Sequence, residues 1–317
     1  MIAGELLLAC VLDAVLGDPR WLPHPIRLIG KAIAWYDDRV RRVVRGPTGE
    51  RVGGIALALG LPTLTYIAGW LAIELAGRAQ VMLGAVAWVL LAWTTLAARD
   101  LADHAMAVRL ALEHGSLQQA RQTVAQIVGR DTAQLSEPEV VRATVEAVAE
   151  SASDGIIAPL FFLSLGGPPA ALAYKTISTL DSMVGHREPK YQYLGWASAR
   201  LDDAANWVPA RITALLLVLA GGIVSRSACR TQQAWHILRR DGHKHPSPNS
   251  GRPEAAMAGA LQVQLGGTNI YRGRPEHRPH LGDPHVPLRL SHITDAVVLM
   301  WMTAFLGVVL ATGLLLL

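Results

Sequence analysis

Cysteine and charge are both scarce in this chain of 317 residues. The two cysteines, Cys10 and Cys229, show no metal-ligand spacing and give no sign of a disulfide framework. Charged residues make up 17% of the sequence and hydrophobic residues 51%. Water-soluble proteins of this length seldom have so apolar a composition, and we therefore predict an integral membrane protein.

Several common functional motifs are also missing. The sequence has no G-x-x-x-x-G-K-[ST] and no G-x-G-x-x-G, which excludes a P-loop and a Rossmann dinucleotide site. The net charge is +4, but no basic stripe is interleaved with aromatic residues, so nucleic acid is not an expected partner. Seven of the eleven histidines lie between His236 and His292, at spacings that fit no closed zinc site.

Long runs without charge are present instead. Four of them have about 20 residues or slightly more, the length at which a helix crosses a bilayer. They are residues 52–73, 79–98, 155–174 and 296–317. We predict an all-α polytopic integral membrane protein, with transmembrane helices, re-entrant or buried helices, and a polar Pro/Gly/His-rich cytoplasmic segment.

Two of the apolar segments are predicted not to cross the membrane. The run 155–174 contains Gly-Gly-Pro-Pro at 166–169, which breaks a helix and favours a re-entrant hairpin. The run 212–225 is short for a crossing. Residues 2–16 are apolar but interrupted by Glu5 and Asp13, which indicates an N-terminal helix and not a signal peptide.

The chain is predicted to form one membrane domain of six segments. These are an N-terminal helix and loop (1–51), a transmembrane hairpin joined at 74–78 (52–98), soluble helices (99–154), a charged core with the re-entrant segment (155–225), a polar region (226–295) and a terminal transmembrane helix (296–317). Eight Lys/Arg lie between Arg20 and Arg51, and ten between Arg226 and Arg289. By the positive-inside tendency both stretches face the cytoplasm.

Local signals predict several helix boundaries. Prolines keep residues 17–25 out of a helix, and a helix follows over 26–44. Ser116 is a candidate cap after a break at Gly115, and Ser136 with Glu139 forms a capping box. Further helices are predicted over 254–265 and from Trp196 through Trp207.

Glu146 and Glu150 lie four residues apart on one helix face. Like charges at this spacing destabilise an isolated helix, so a cation or metal opposite them is one interpretation. A solvated acidic face is the other.

Residues 150–211 combine many charges with an apolar insert. The charged residues include Glu150, Asp154, Lys175, Asp181, Lys190, Arg200, Asp202, Asp203 and Arg211. Charges beside hydrocarbon-like surface must be paired, hydrated or used, so this stretch is the predicted site. The alternative is an internal network of salt bridges that only ties helices together.

Six motifs along the chain resemble the signature blocks of one family. They are GDPRWLPHPIRLIG (17–30), IVGRDT (127–132), DGIIAPLFF (154–162), AYKTISTLDSMVG (173–185), GWASARLDDAANWVPAR (195–211) and PSPNSGRPEAAMAGAL (246–261). The family is adenosylcobinamide-phosphate synthase, the CobD/CbiB membrane enzymes of cobalamin biosynthesis. The resemblance covers nearly the whole chain, with one departure: where the family often has Glu-Asn-Thr-Val-Asp-Gly, Ser151 replaces the amide side chain.

The resemblance implies a ligase of the cell inner membrane whose site faces the cytoplasm. It would join aminopropanol or aminopropanol phosphate to the free propionate of adenosylcobyric acid, with ATP and Mg²⁺. The corrinoid is then a substrate and not a cofactor, and other corrinoid-pathway enzymes are expected partners. A carboxylate does not react with an amine at neutral pH, so an acyl phosphate is the expected intermediate.

The resemblance also suggests roles for individual residues. Catalytic roles are expected for Glu150, Asp154, Lys175, Asp181, Asp202 and Asp203. Asp154, Asp181 and Asp203 are the expected Mg²⁺ ligands, because Mg²⁺ prefers carboxylate oxygen. Substrate or phosphate binding is expected for Asp18, His24, Arg27, Lys190, Arg200, Arg211, Ser247, Asn249, Ser250 and Asn269.

Two other classes of function compete with the enzyme. A polytopic transporter of a corrinoid or anion would show inverted repeats and charges at mid-membrane, whereas the sequence has no internal repeat and its charged blocks lie between apolar runs. A non-catalytic scaffold would leave the dense Lys/Asp/Arg cluster without a use. Both observations favour the enzyme.

Overall fold

The computed structural model describes residues 2–19, 24–44, 46–186 and 188–316. The described chain is helical apart from one two-stranded sheet. The elements are α1 (Ile2–Leu16), α2 (Pro25–Val43), α3 (Pro47–Ala79), α4 (Val81–Trp93), α5 (Ala98–Glu113), α6 (Leu117–Val124), α7 (Glu137–Ala152), a π-helical turn (Ser153–Ile157), α8 (Ala158–Val184), α9 (Trp196–Ala205), α10 (Trp207–Ser225), α11 (Ala228–Asp241), α12 (Gly251–Leu261), β1 (Leu265–Tyr271), β2 (Arg274–Leu281) and α13 (Ser291–Leu316).

Five helical segments of the described chain are long and apolar enough to cross a membrane. They are Pro47–Ala79, Val81–Glu113, Glu137–Val184, Trp207–Ser225 and Ser291–Leu316. Many large apolar side chains on these segments are exposed, including Leu59 and Leu75 of α3 and Phe305 of α13. Hydrocarbon surroundings suit such surfaces better than water does. The prediction of an all-α polytopic membrane protein is confirmed.

Two compact units make up the chain. The first consists of Met1–Ala97, Ala158–Asn206 and Leu310–Leu317, and the second of Ala98–Ile157 and Trp207–Val309. Both are assembled from discontinuous stretches, so neither corresponds to one of the six predicted segments.

In the first unit, α3 and α4 form the predicted helical hairpin. The turn falls at Gln80 and not in residues 74–78, which was the predicted connection. Glu74 and Arg78 form an ion pair of 2.9 Å at i,i+4, and this pair suits continuation of the helix. Glu74 and Arg78, which follow the apolar run 52–73, therefore lie within α3.

A hydrophobic core in the first unit joins α2, α3 and α8. Its buried members are Ile29 and Ile33 of α2, Leu57 of α3, and Leu180 and Val184 of α8. The helix predicted over 26–44 is confirmed within one residue at each end. The packing of α2 against α8 stabilises the position of α8, the helix that carries most of the motif AYKTISTLDSMVG (173–185).

The predicted break in α8 is also confirmed. Gly166 (φ −148°, ψ 18°) and Gly167 (φ 67°, ψ −164°) leave the helical conformation. The positive φ at Gly167 suits glycine alone, and Pro168 and Pro169 cannot donate backbone hydrogen bonds to the preceding turn. A re-entrant path requires such a break and stays a prediction.

The single helix predicted from Trp196 through Trp207 is wrong. Helix α9 ends at Ala205, and α10 begins at Trp207. The side chain of Asn206 donates to Asp202 Oδ1 at 3.0 Å and accepts from the Tyr174 hydroxyl at 2.8 Å, which holds the junction. The charge-free run 212–225 is shorter than α10, because that helix has 19 residues and begins at Trp207, before Arg211.

In the second unit, both predicted helix starts are present. The Ser116 side chain accepts from Gln119 N at 3.3 Å at the start of α6. Ser136 and Glu139 form the capping box of α7, in which Ser136 N donates to Glu139 Oε2 at 2.7 Å. These contacts orient α7, the helix that carries Glu146 and Glu150.

The helix predicted over 254–265 is only partly correct. Helix α12 spans Gly251–Leu261, and Leu265 begins β1, which pairs antiparallel with β2. Arg272 and Gly273 both have positive φ in the connecting turn, as tight two-residue hairpin turns require. The strands escaped sequence prediction because β2, RPEHRPHL, lacks alternation of apolar and polar residues.

Candidate functional site

A buried ionic network in the second unit is built around Glu146 of α7. Its carboxylate binds the Arg130 guanidinium, accepts from Gly266 N at 2.8 Å, and lies 3.6 Å from Arg142 Nη1. All three charged side chains are buried. Of the two interpretations of Glu146 and Glu150, a cation opposite the pair is correct for Glu146, and that cation is arginine.

Asn269 of β1 joins the same network. Its Oδ1 accepts from Arg130 Nη1 at 2.6 Å and from Arg142 Nη2 at 3.0 Å. Its Nδ2 is buried and has no hydrogen-bond partner in the described part of the chain. A buried donor of this kind costs free energy unless an acceptor satisfies it, so Nδ2 is a candidate contact for a ligand oxygen.

The surroundings of Gly266 and Gly267 in the β-hairpin show why both positions are glycine. Arg142 donates to the carbonyls of Gly266 and Thr268. Both glycines have positive φ, and a Cβ on Gly266 would lie 2.2 Å from Pro279 O. The glycines therefore allow close strand packing, and Gly266 N is already bonded to Glu146 instead of being free for a phosphate.

The PSPNSG loop brings polar side chains to Glu150. Ser250 Oγ donates to Glu150 Oε1 at 2.8 Å and lies 3.2 Å from Ser247 Oγ. Ser247 Oγ accepts from the backbone N–H groups of Asn249 and Ser250. The loop is thus folded on its own side chains, and it presents Ser250 to α7.

Glu254 is more deeply buried than Glu146, at 4% and 6% exposure. Burial raises its pKa well above the ordinary range, and the nearby charges of Glu146 and Glu150 raise it further, while Arg278 and Arg130 act in the opposite direction. Glu254 is therefore protonated under conditions in which ordinary carboxyl groups are ionised. A buried carboxyl group with a raised pKa can accept or donate a proton near neutral pH.

The second unit thus unites five residues that the sequence predicted for the site with several that it missed. The predicted residues are Glu150, Ser247, Asn249, Ser250 and Asn269. The missed residues are Arg130, Arg142, Glu254 and Arg278, together with Glu146, which sequence reasoning noticed but did not assign. Two features of the sequence could have identified the arginines. Arg130 lies in the IVGRDT motif, and Arg142 lies four residues before Glu146, on the same helix face.

Asp154 lies in the π-helical turn directly after α7 and is partly buried. Single π-helical turns occur frequently at functional sites. Ser153, its neighbour, is buried, and its hydroxyl has no hydrogen-bond partner in the described ranges.

Four predicted catalytic residues lie in the first unit, on α8 and α9. Lys175, Asp181, Asp202 and Asp203 are all partly buried. Asp202 Oδ1 accepts from Asn206, and Asp181 packs against Gly185, where an added Cβ would lie 1.9 Å from Asp181 Oδ1. A side chain at position 185 would therefore displace the Asp181 carboxylate.

Two predicted phosphate-binding cations of the first unit have carboxylate partners. Lys190 donates to the Tyr191 hydroxyl at 2.9 Å and lies 3.6 Å from Asp37 Oδ2; the hydrogen bond to Tyr191 raises the pKa of Lys190. Arg200 lies 3.9 Å from Asp203 and is 70% exposed. The cation of each pair is exposed, so a phosphate could replace its carboxylate partner at little cost.

The loop before α2 brings Asp18 and His24 together. His24 caps α2 by accepting from Ile26 N at 3.3 Å, and its Nε2 lies 3.3 Å from Asp18 Oδ1. Arg27 donates to Pro19 O at 3.3 Å. His24 therefore serves as the N-cap of α2, and it is buried. Residues 20–23 of the predicted loop lie outside the described residues.

Arg211 lies apart from the Glu146 network, in a pocket of about 330 Å³ within the second unit. The pocket is lined by Arg211, Ala214, Leu215, Trp235, Leu238, Arg239, His243 and Arg252. Three arginines and no carboxylate line it, which makes it a candidate anion site.

The described residues include no group of three His, Cys, Asp or Glu side chains that could hold a metal ion. Mg²⁺ that arrives with ATP needs only one or two protein carboxylates, because phosphate oxygens and water complete its coordination. Asp154, Asp181 and Asp203 therefore stay predicted ligands of a nucleotide-bound metal.

Apolar helices long enough to cross a membrane, combined with a buried polar network in the second unit, define a multi-pass membrane protein. Comparison with known proteins narrows this class. The family model described as CobD/Cbib protein matches residues 6–300. No solved structure shows significant similarity to the chain.

Curated relatives resemble the chain over nearly its full length. A protein of Geobacter metallireducens named "Cobalamin biosynthesis protein CobD" is 51% identical over 98% of this chain and 96% of its own. One of the same name from Klebsiella pneumoniae is 44% identical over 96% and 95%. "Cobalamin biosynthesis protein CbiB" of Salmonella typhi is 43% identical over 96% and 94%. The chain belongs to the CobD/CbiB family of cobalamin biosynthesis.

Proposed function

We propose that this protein joins aminopropanol or its phosphate to the free propionate of adenosylcobyric acid in an ATP-dependent reaction. Its family membership supports a role in cobalamin biosynthesis. The buried carboxyl group of Glu254 beside Glu146 and Glu150 is the observation that carries the chemical step.

The reaction requires activation before the amide can form. The propionate carboxylate attacks the γ-phosphorus of ATP, which gives an acyl phosphate and ADP. The amine then attacks the acyl carbon, phosphate leaves, and one proton of the ammonium group must be removed. A carboxylate whose pKa is raised toward neutrality is a suitable acceptor for this proton.

We assign the proton transfer to the pair of Glu150 and Glu254. Glu150 is exposed and held by Ser250, so it can reach a substrate, whereas Glu254, buried beside it, accepts a proton only when it is in its ionised form. Arg130 and Arg142 neutralise Glu146 and limit the repulsion among the three carboxyl groups. Asn269 Nδ2, which is buried and has no hydrogen-bond partner among the described residues, would donate to a substrate oxygen.

Phosphate and metal binding are assigned to the charged residues of the first unit. Asp181 and Asp203 would supply carboxylate oxygens to Mg²⁺ bound to ATP. Lys175, Lys190 and Arg200 would stabilise the transferred phosphoryl group. The positive-inside tendency supports a cytoplasmic site at the inner membrane, where ATP is available.

Mass spectrometry of the corrinoid tests this proposal. Detergent-purified protein is incubated with adenosylcobyric acid, the amine, ATP and Mg²⁺. We expect a product heavier by the amine less one water, formed only with ATP, from wild type and from Glu137→Gln but not from Glu254→Gln. Unchanged corrinoid from folded wild-type protein, with both free and phosphorylated amine, would favour a transporter instead.

A further inference from the structure

The arginine pocket continues into an apolar groove along α10. The groove has a volume of about 620 Å³ and is lined by Leu215, Val218, Leu219, Ala228, Thr231, Gln232 and Trp235. Leu215 and Trp235 line both cavities, so the two form one path with a cationic end and an apolar end. Arg211 and Leu219 are eight residues apart on α10, which corresponds to about 12 Å along the helix axis.

The cationic end lacks a counter-ion within the described chain. Arg211, Arg239 and Arg252 form no ion pair with a described residue, and Arg252 Nε is buried without a hydrogen-bond partner there. Arg211 stacks at 3.8 Å on the ring of Trp207 and donates to Trp207 O. Three guanidinium groups in one pocket repel each other unless an anion joins them.

The apolar end faces the environment expected for lipid. Helix α10 is one of the candidate membrane spans, and Leu215, Leu219 and Ile223 are about half exposed on one side of it. These residues recur at i, i+4 and i+8, the spacing of a single helix face. A ligand in this path therefore meets arginine at one end and bilayer-facing side chains at the other.

We propose that this path binds one anionic phospholipid, with the headgroup phosphate among Arg211, Arg239 and Arg252 and an acyl chain along Leu215 and Leu219. Basic pockets beside membrane helices bind anionic headgroups through the same chemistry. A free phosphate or nucleotide would satisfy the arginines but leave the apolar groove unfilled. The proposal does not depend on the enzymatic activity.

Native mass spectrometry of delipidated protein tests the site. Phosphatidylglycerol and phosphatidylcholine with identical acyl chains are titrated separately. We expect roughly ten-fold or greater preference for phosphatidylglycerol, because each arginine near an anionic lipid contributes favourably. Equal binding of the two lipids would overturn the proposal.

Substitutions of residues that line the path test whether the lipid binds there. Arg239→Gln should reduce the preference several-fold, and Arg239→Gln with Arg252→Gln should reduce it to within about two-fold of equality. Leu219→Asn should weaken both lipids alike. Arg289→Gln, an exposed arginine outside the pocket, is the matched control and should bind as wild type does. Thermal unfolding and size-exclusion profiles confirm that each variant is folded; a folded double variant with unchanged preference would contradict the assignment.

Soluble anions separate a lipid site from a free-phosphate site. Inorganic phosphate, glycerol phosphate and ATP are added as competitors to the protein loaded with phosphatidylglycerol. We expect that none of the three displaces phosphatidylglycerol at concentrations matched to the lipid. Displacement by any of the three at such concentrations would show that the pocket is a site for a soluble phosphate compound, and the lipid proposal would be wrong.

Discussion

Ser250 Oγ donates a hydrogen bond of 2.8 Å to Glu150 Oε1, although the two residues lie 100 positions apart in sequence. The contact joins the PSPNSG loop to α7, two motifs whose sequences do not indicate that they meet. Since hydrogen bonds to a charged acceptor are strong and directional, Ser250 fixes the orientation of the Glu150 carboxylate.

Ser250→Ala should lower kcat by about ten-fold or more, because loss of one hydrogen bond to a charged group costs about 1.5–3 kcal/mol. Ser250→Thr keeps the hydroxyl group and should recover most of the activity. Corrinoid turnover by mass spectrometry measures both. Ser182→Ala, which removes a hydroxyl bonded only within its own helix, is the control. Equal turnover of Ser250→Ala and wild type would show that the contact only holds the loop.

Glu254→Gln should change the pH dependence of stability. An unfolded carboxyl group titrates near pH 4.3, and the folded pKa of Glu254 is higher because of burial and the charges of Glu146 and Glu150. Between these two values the folded state holds the extra proton, so this group makes stability fall as the pH rises. Glutamine cannot ionise, and the variant should lose that contribution.

Thermal unfolding in detergent from about pH 5 to pH 8 measures this effect. We expect a flatter pH profile for Glu254→Gln than for wild type, with activity reduced by about 100-fold or more if Glu254 transfers the proton. Glu137→Gln, on the exposed first turn of α7, should keep the wild-type profile. Identical profiles for all three proteins would mean that Glu254 is ionised in the folded state.

Local features of the fold could be predicted from the sequence, and contacts distant along the chain could not. Ser116, Ser136 and the break at Gly166 depend on residues within one helical turn, and their predictions are confirmed. The network around Glu146 requires Arg130, from the segment before α7, and Asn269, which lies on a β-hairpin without clear alternation. The sequence therefore indicated which motifs matter without showing that Glu146 and Glu254 lie among them.

The charged residues of 150–211 illustrate the same limit. Their composition predicted one site, which stays a prediction; Glu150, Asp154 and Arg211 belong to the second unit, and the others belong to the first. Helix α9 also ends before Trp207: Asn206 is its C-cap residue, and its backbone N–H donates to the carbonyls of Asp202 and Ala204. A helix prediction from residue spacing takes the helix to be unbroken, so it does not detect the end of α9.

Glu146→Gln should destabilise the protein by about 3–5 kcal/mol, because Arg130 and Arg142 would lose their buried counter-charge. Thermal unfolding in detergent measures the loss. Glu74→Gln removes a carboxylate from an exposed i,i+4 pair with Arg78 and should leave the unfolding temperature unchanged. A small effect of Glu146→Gln, similar to that of the control, would mean that water or a ligand already screens the two arginines.

Asp181→Asn distinguishes a catalytic role from a structural one. If Asp181 holds Mg²⁺ with ATP, turnover should fall by about 100-fold and half-saturation should require more Mg²⁺, with little change in unfolding temperature. If Asp181 only ties helices together, the unfolding temperature should fall while turnover per folded molecule stays near wild type. Corrinoid turnover against Mg²⁺ concentration and thermal unfolding are measured on the same samples.

Gly185→Ala tests the position of the same carboxylate without removing it. A Cβ at this site would lie 1.9 Å from Asp181 Oδ1 and 2.7 Å from the Asp181 carbonyl oxygen, so the side chain must move. We expect Gly185→Ala to reproduce the Mg²⁺ dependence of Asp181→Asn. Gly60→Ala, within α3 and with no atom within 4 Å of the added Cβ, should keep wild-type turnover. Full activity of Gly185→Ala would show that the reaction does not require Asp181 in its observed position.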